Sequence, residues 1–172
     1  MHGEPRGALE VLKTPTAQAM LAIRNTIPLF EQNAGSRLES RYEKVRELLT
    51  TAHLRRRQMP VINDQDYTRM KTFLGHSVRT RQVYRQPLHL KPLQSQIYLS
   101  KVLEFHKAHG FVVATEPILV SGDDHIIDGH HRWLDAVLLG EHIPAFEIGL
   151  TAEALFLMSI GLSDVEKHAR NA

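Results

Sequence analysis

The chain has 172 residues, 42% of them hydrophobic, and contains no cysteine. This composition is sufficient for one ordinary core and excludes a disordered or fibrous protein, disulfide bonds and thiolate metal sites. It contains no run of about eighteen apolar residues, and its first residues lack the apolar segment of a secretion signal. We therefore expect a cytoplasmic protein without a membrane-spanning segment.

The net charge of +2 hides a strong division along the chain. Residues 37–91 contain thirteen Lys and Arg and only five Asp and Glu, whereas residues 92–172 contain five basic and eleven acidic residues. The basic middle predicts a contact with a polyanion such as DNA; a solvated helix face with a charged loop is the alternative interpretation. The arginines assigned to this candidate nucleic-acid contact are Arg55, Arg56, Arg57, Arg79, Arg81 and Arg85.

The first ninety residues are predicted to be mostly helical. Thr16 can cap a helix that runs to about Ile27 and ends before Pro28, and the polar residues 33–36 then interrupt the chain. A second helix, extending to about Arg56, is indicated by a stripe of apolar residues at helical spacing: Leu38, Tyr42, Val45 and Leu49. Such a stripe packs on the core or on a second copy of the chain.

A third helix is predicted after the polar residues 63–66, which suit an N-terminal cap, and Gly75 would end it. Its apolar face would consist of Tyr67, Met70, Phe73 and Leu74. Pro60 and Pro87 bracket this helix and a variable, polar stretch.

The segment from residue 117 to residue 148 is the most informative part of the sequence. Residues 118–121 and 125–128 are β-prone, and the Gly-Asp-Asp between them is typical of a hairpin turn. The second strand leads straight into a predicted helix that Gly140 ends, because apolar residues recur at helical spacing at Trp133, Ala136 and Val137.

The turn between that strand and that helix reads Asp128-Gly129-His130-His131-Arg132. The first amides of a helix have no partners within it and carry the positive end of its dipole, so an anion binds there. Gly129 allows a phosphate to approach the backbone, and Arg132 offers a planar fork for its oxygens. His130 and His131 add donors that can also move protons. Phosphate chemistry is therefore predicted at this turn.

A structural interpretation of the same turn stays open. Asp128 can cap the helix, the two histidines can be solvated, and Arg132 can pair with Asp128 or Asp135. Capping needs only one polar residue, whereas this turn has four, and the excess favours the functional interpretation.

The order of elements from Leu88 to about Met158 resembles the ParB/sulfiredoxin superfamily, whose domain runs strand, Pro-containing turn, helix, hairpin, phosphate-binding turn, helix, strand. Residues 88–93 resemble its first strand and turn, residues 95–109 its first helix, stopped by Gly110, and residues 143–148 its closing strand. The resemblance implies an α+β fold with a small mixed sheet and packed helices.

The resemblance also implies a division of the chain. Residues 87–160 would form the superfamily domain, with an apolar docking helix over residues 151–160. Residues 1–86 would be a helical N-terminal extension, and residues 161–172 a tail that frays.

The turn sequence narrows the comparison within the superfamily. The reactive cysteine of sulfiredoxins corresponds to His130 here, so reduction of a sulfinic acid is excluded. Partition-type ParB proteins carry Gly-Glu-Arg-Arg at this turn, whereas Asp-Gly-His-His-Arg is most similar to the turn of the ADP-dependent free serine kinases. Those kinases use a glutamate as catalytic base, and the matching position here is Gln94, which cannot take a proton.

The resemblance thus implies a nucleotide-binding protein that hydrolyses or transfers a phosphoryl group, with Mg²⁺ and a nucleoside di- or triphosphate such as ATP or ADP. The implied phosphate-binding residues are Gly129, His130, His131, Arg132 and Lys91. The implied catalytic residues are Asp128, which would also place Mg²⁺ or water, and His130 and His131. Gln94 and Ser95 are candidate contacts with substrate or nucleotide, although we favour a helix cap for Ser95.

Two other functions stay open. One is a ParB-like, metal-dependent nuclease in which the basic middle holds DNA; the other is a non-enzymatic module in which nucleotide or DNA switches the helical region or a homodimer. Asp123, Asp124 and His125 add oxygen and nitrogen ligands near Asp128, but their spacing matches no zinc motif and we expect no permanent metal. The organisation is similar to that of some bacteriophage or mobile-element proteins.

Overall fold

The computed structural model describes residues 11, 14–26, 30–60, 62, 64–109 and 115–162. The helices within these ranges are α1 (Thr16–Thr26), α2 (Phe30–Leu49), α3 (Asp64–Leu74), α4 (Leu99–His109), α5 (His130–Leu139) and α6 (Ala152–Leu162). The strands are β1 (Thr80–Arg85), β2 (Lys91–Pro92), β3 (Ile118–Ser121), β4 (His125–Asp128) and β5 (Ile143–Ile148). The expected α+β class is confirmed.

The strands form one mixed sheet in the order β1-β5-β3-β4-β2. β1 is antiparallel to β5, β5 is parallel to β3, β3 and β4 form the predicted antiparallel hairpin, and β4 is parallel to β2. β3 lies at the centre, and all four of its residues are buried. At the hairpin turn Asp124 has a φ of 68°, a left-handed conformation that Asp tolerates better than most residues.

Alternate residues of the strands face two separate apolar clusters. Ile118, Val120 and Ala145 belong to the cluster that includes residues of α1, α2, α4 and α5. Leu119 and Phe146 belong to the cluster that includes residues of α3 and α6. This alternation is the period of two expected for a sheet with helices on both faces.

Helix α5 is the best predicted element. It begins at His130 and ends at Gly140, whose left-handed conformation makes a C-cap as predicted. The Arg41 side chain donates a hydrogen bond of 2.9 Å to the Leu138 carbonyl at this end. Trp133 is fully buried, and its indole N–H donates a 2.6 Å hydrogen bond to the Pro87 carbonyl. Both ends of α5 are therefore fixed by residues distant in sequence.

The predicted break at residues 33–36 is wrong, because α2 continues through it. A helical glycine costs about 1 kcal/mol, and the predicted stripe from Leu38 to Leu49 is buried in the core, which outweighs that cost. α2 also ends at Leu49 rather than near Arg56. Thr50 and Thr51 follow, and their hydroxyls donate to the carbonyls of residues 47 and 48, which competes with continuation of the helix. The predicted stop at Pro28 lies outside the described residues.

Between residues 63 and 86 one prediction is wrong, and one strand was not predicted. Phe73 is 79% exposed, whereas the other three residues of its predicted face are buried. The polar stretch after α3 contains β1, an edge strand whose residues are mostly exposed or half-buried, so it lacks the apolar alternation that predicts a strand. The suggested cap at Asn63 lies outside the described residues.

Helix α4 begins at Leu99, four residues later than the resemblance implies. The favoured cap by Ser95 is therefore wrong: its hydroxyl donates a 3.1 Å hydrogen bond to the Leu54 carbonyl instead. α6 extends two residues beyond its predicted end, and Thr151 accepts a 3.2 Å hydrogen bond from the Ala154 amide at its start. Gly110 and residues 163–172 lie outside the described ranges.

Candidate functional site

The turn that joins β4 to α5 is built on Gly129. Its φ of 98° is a conformation that side chains rarely adopt, and a Cβ atom here would lie 2.4 Å from the Ile118 Cγ2 atom. The N-cap of α5 is Gly129, which has no side chain to cap the helix. The Asp128 carboxylate interacts with the Gly129 backbone, Tyr67 and Arg132, and within the described residues it makes no bond to the first-turn amides of α5. The first-turn amides therefore keep their capacity to bind an anion.

His130 and His131 act as hydrogen-bond acceptors. The Nε2 atom of His130 accepts 3.1 Å bonds from the amides of Leu93 and Gln94. The Nε2 atom of His131 accepts a 3.1 Å bond from the Tyr98 amide, and its ring stacks on the Tyr98 ring at 6.0 Å. Each imidazole is therefore neutral, with its proton on Nδ1.

The surroundings of both histidines oppose protonation. Burial, with a smaller contribution from His131, lowers the pKa of His130 to about 3. Burial, together with the positive charges of Lys101 and Arg56, lowers the pKa of His131 to about 3. The geometry therefore supports a positioning role, in which the pair holds residues 93–98 against α5, rather than the expected proton transfer.

Arg132 is already engaged by protein groups. Its guanidinium donates 3.0 Å bonds to the carbonyls of Glu116 and Pro117 and a 3.2 Å bond to Asp128 Oδ2. Its side chain is only 22% exposed. Arg132 thus links the residues before β3 to the turn. Its pairing with Asp128 is the contact that the structural interpretation of the turn allowed. A phosphate would have to share this guanidinium with Asp128.

Asp128 is the ionisable carboxylate of the turn. Burial raises its pKa to about 6, although the Arg132 guanidinium acts in the opposite direction. The Tyr67 hydroxyl lies 3.5 Å from Oδ2, and burial raises the pKa of Tyr67, so that Tyr67 is protonated and can donate. Asp128 is consequently ionised at neutral pH and able to take up a proton under mildly acidic conditions.

A cavity of about 290 Å³ opens at this turn. Its polar wall consists of the turn residues Asp128 to Arg132, the buried side chain of Gln94 and Arg56. Its apolar wall consists of Met59, Pro60, Ile62 and Ile127. The cavity thus combines polar groups with an apolar surface, as small-molecule sites do.

The structure brings only some of the predicted contacts to this cavity. Gln94 lines it, and the Gln94 side-chain amide donates to the Gln96 carbonyl. Lys91 pairs with His125 in the sheet, which places its backbone about 10 Å along β4 from Asp128. Neither Lys91 nor Ser95 is among the lining residues.

The predicted nucleic-acid contact is divided by the fold. Arg55, Arg56 and Arg57 are exposed and adjoin the segment that follows β2. Arg79, Arg81 and Arg85 lie in or beside β1 at the opposite edge of the sheet, about 19 Å away by strand spacing. The six arginines therefore do not form one surface.

The β1 arginines are also largely neutralised. Arg81 lies 3.1 Å from Glu147, and Arg85 lies 2.9 Å from Glu147 and 2.5 Å from Asp124. The basic middle and the acidic C-terminal half thus meet across the sheet, so the charge division along the sequence overstates the charge available for DNA.

The apolar wall of the cavity and the position of a nearby cation, Lys101, were not predicted. Met59, Pro60 and Ile62 form its apolar wall, and their apolar character after the arginine run was the only signal in the sequence. Lys101 lies 5.6 Å from the Tyr98 ring centroid and lines a neighbouring cavity with His131 and Arg132, and burial together with the charge of Arg56 lowers its pKa. No sequence pattern pairs Lys101 with residues some forty-five positions earlier.

Among the described residues, no three His, Asp or Glu side chains converge as a metal-binding group. Asp123 instead lies beside Ser121 and accepts from the Ala152 amide at 3.0 Å. Of the residues that the structure describes, Asp128 alone supplies a carboxylate to the cavity. One carboxylate suits Mg²⁺ that arrives with a nucleotide, since phosphate oxygens and water complete its coordination.

Comparison with protein-family models, with curated proteins and with solved structures found no match for this chain. Of the helices in the described ranges, none has both the length and the apolar character that crossing a membrane requires.

Proposed function

We propose that the protein binds nucleoside di- or triphosphates in the cavity at the N-terminus of α5. The observation that carries the proposal is that an uncapped helix N-terminus, entered through a left-handed Gly129, opens into a cavity of about 290 Å³. Phosphate oxygens satisfy such amides and interact favourably with the helix dipole.

The balance of charge supports an anionic ligand. Arg56 and Lys101 lie close enough to each other and to His131 to lower pKa values there. Asp128, the cavity's carboxylate, already pairs with Arg132. A bound phosphate would offset the remaining positive charge.

The element order also supports our proposal that the chain is a ParB/sulfiredoxin-like protein. β2, α4, the β3–β4 hairpin, α5 and β5 follow one another in the order of that superfamily. The free serine kinases within it suggest Mg²⁺-dependent phosphoryl hydrolysis or transfer at the same turn.

Asp128 is the residue best suited to such chemistry. Bound Mg²⁺ would neutralise phosphate charge, with Asp128 as its protein ligand. In hydrolysis of a nucleoside triphosphate a water oxygen would form a bond to the terminal phosphorus and the bond from that phosphorus to the bridging oxygen would break, giving the nucleoside diphosphate and inorganic phosphate. If Asp128 orients this water instead of holding Mg²⁺, the proton released by the water can pass to its carboxylate, whose pKa is about 6 without a metal.

The test is a thermal-shift panel of ATP, ADP, CTP and GTP with and without Mg²⁺, followed by a phosphate-release assay. A nucleotide at 100 times its dissociation constant should stabilise the fold by about 2.7 kcal/mol. Asp128→Asn should lose the part of the nucleotide-dependent stabilisation that requires Mg²⁺, and it should release no phosphate. The matched control is Glu141→Gln, because Glu141 is an exposed carboxylate beyond the other end of α5. A flat panel on folded protein refutes the proposal.

Nucleic-acid binding, with or without cleavage, is the second candidate. The exposed run Arg55 to Arg57 favours it, because this run adjoins the cavity and could extend the contact to neighbouring phosphates. DNA retention that falls steeply with salt and needs no nucleotide would support this function. Nucleotide binding without phosphate release would instead favour a binding module, as the neutral Gln94 in the cavity does.

A further inference from the structure

Residues 54–60 and 62, here called the strap, lie over the candidate site. The Leu54 amide donates to the Leu93 carbonyl at 3.0 Å, and the Ser95 amide donates to the Leu54 carbonyl at 2.8 Å. The Arg56 amide donates to Gln96 Oε1 at 2.9 Å. The strap is therefore fastened to residues 93–96, which His130 in turn holds against α5.

The strap contributes two different surfaces to the cavity. Met59, Pro60 and Ile62 are buried and face it with apolar side chains, whereas Arg56 lines it with an exposed, charged one. A ligand that fills the cavity therefore meets a cation and an apolar surface from the same short segment.

Arg56 differs from Arg132 in what it already contacts. Arg132 bonds to two carbonyls and to Asp128. Within the described residues, the Arg56 guanidinium makes neither a hydrogen bond nor an ion pair, although it lines the cavity. A guanidinium without a protein partner keeps all its donors for an anion that enters the cavity.

We propose that Arg56 is the guanidinium that binds phosphate in this cavity, and that the ligand is a phosphate ester whose organic part lies on Met59, Pro60 and Ile62. The inference rests on the proposed function and deepens it. It assigns phosphate binding to Arg56 of the strap, whereas the sequence predicts this role for Arg132. It also predicts that a nucleotide binds more tightly than inorganic phosphate or pyrophosphate.

The test compares Arg56→Ala, Arg56→Lys and Arg57→Ala by calorimetric titration with ADP and with pyrophosphate. Arg57 is the matched control, because it is an exposed arginine of the same turn that does not line the cavity. Loss of a charge-assisted bond to phosphate should weaken ADP binding about ten- to one-hundred-fold in Arg56→Ala. The affinity of Arg56→Lys for ADP should lie between those of the wild type and Arg56→Ala, since lysine keeps the positive charge but lacks the forked guanidinium. The affinity of Arg57→Ala for ADP should stay within about threefold of the wild-type value, because a distant charge is screened by solvent and salt.

The outcomes separate the two proposals. If the wild type binds neither ligand, the proposed function fails and the role of Arg56 fails with it. If the wild type binds ADP and Arg56→Ala binds it as tightly as Arg57→Ala does, only the role of Arg56 is overturned. Equal affinity for pyrophosphate and ADP would overturn the assignment of the apolar wall to the organic part. Circular dichroism checks that each variant is folded.

Discussion

The neutral state of His130 gives a test of the turn that needs no ligand. His130→Gln replaces the imidazole by a side chain whose Oε1 atom can take the place of Nε2 and accept from the Leu93 and Gln94 amides. Unlike histidine, glutamine does not titrate. The variant therefore keeps the acceptor and removes only the linkage between proton binding and folding.

The size of this linkage follows from the two pKa values. An unfolded histidine titrates near 6.5, whereas the folded pKa of His130 is about 3. Between these values the unfolded state binds a proton that the folded state does not, so His130 favours folding above pH 6.5 and this contribution is lost as the pH falls towards 3. The slope is about 1.4 kcal/mol per pH unit.

Urea unfolding at pH 7.5, 6.0 and 5.0 measures the effect. As the pH falls, the free energy of unfolding should decrease less steeply in His130→Gln than in the wild type, by about 0.5 kcal/mol per unit between pH 7.5 and 6.0 and by about 1.2 kcal/mol per unit between pH 6.0 and 5.0. His130→Ala should be destabilised at every pH by about 2 to 5 kcal/mol, because two amides lose their acceptor. Equal slopes in wild type and His130→Gln would show that His130 is protonated or exposed, and would refute its role as an acceptor.

Two further predictions concern the same turn. Gly129→Ala should lower the free energy of unfolding by about 3 kcal/mol or more, because of left-handed backbone strain and overlap with Ile118. Gly75→Ala is the control: its φ is 54° and no atom lies within 4 Å of the added Cβ, so it should lose only about 1 kcal/mol. Similar losses for the two variants in denaturant titrations would contradict the close packing at Gly129. Because burial raises the pKa of Asp128 from 3.8 to about 6, its ionised form costs stability above pH 6 and the cost disappears below about pH 4. Asp128→Asn should therefore gain up to about 3 kcal/mol at pH 8, a figure that already includes the attraction of Arg132, and no comparable gain at pH 4. A gain that is independent of pH would rule out this origin.

The hairpin and α5 were predictable because their signals are local. Gly122 to Asp124 favour a turn, and apolar spacing with Gly140 defines a helix and its end. The missed strand β1 has few such signals, because it is a polar edge strand whose pairing with β5 depends on residues some sixty positions away.

The glycine and the polar residues of the turn singled it out as the candidate site in the sequence, but the contacts that these residues make were not predictable. His130 and His131 accept from amides about thirty-five residues earlier, and no periodicity reports such contacts. The six arginines were assigned to nucleic acid because the sequence shows only their charge. It does not show that the fold brings Arg56 to the cavity, or that Arg81 and Arg85 of β1 lie beside Glu147.

The buried indole of α5 has a spectroscopic consequence. Trp133 is the only tryptophan of the chain; its amide bonds to the Gly129 carbonyl at 2.9 Å and its indole to Pro87. Its emission should be blue-shifted and shielded from iodide quenching while the first turn of α5 is closed, and should shift to the red as that turn opens. The protein therefore carries an intrinsic fluorophore at its candidate site, and local opening of the turn can be observed without a label.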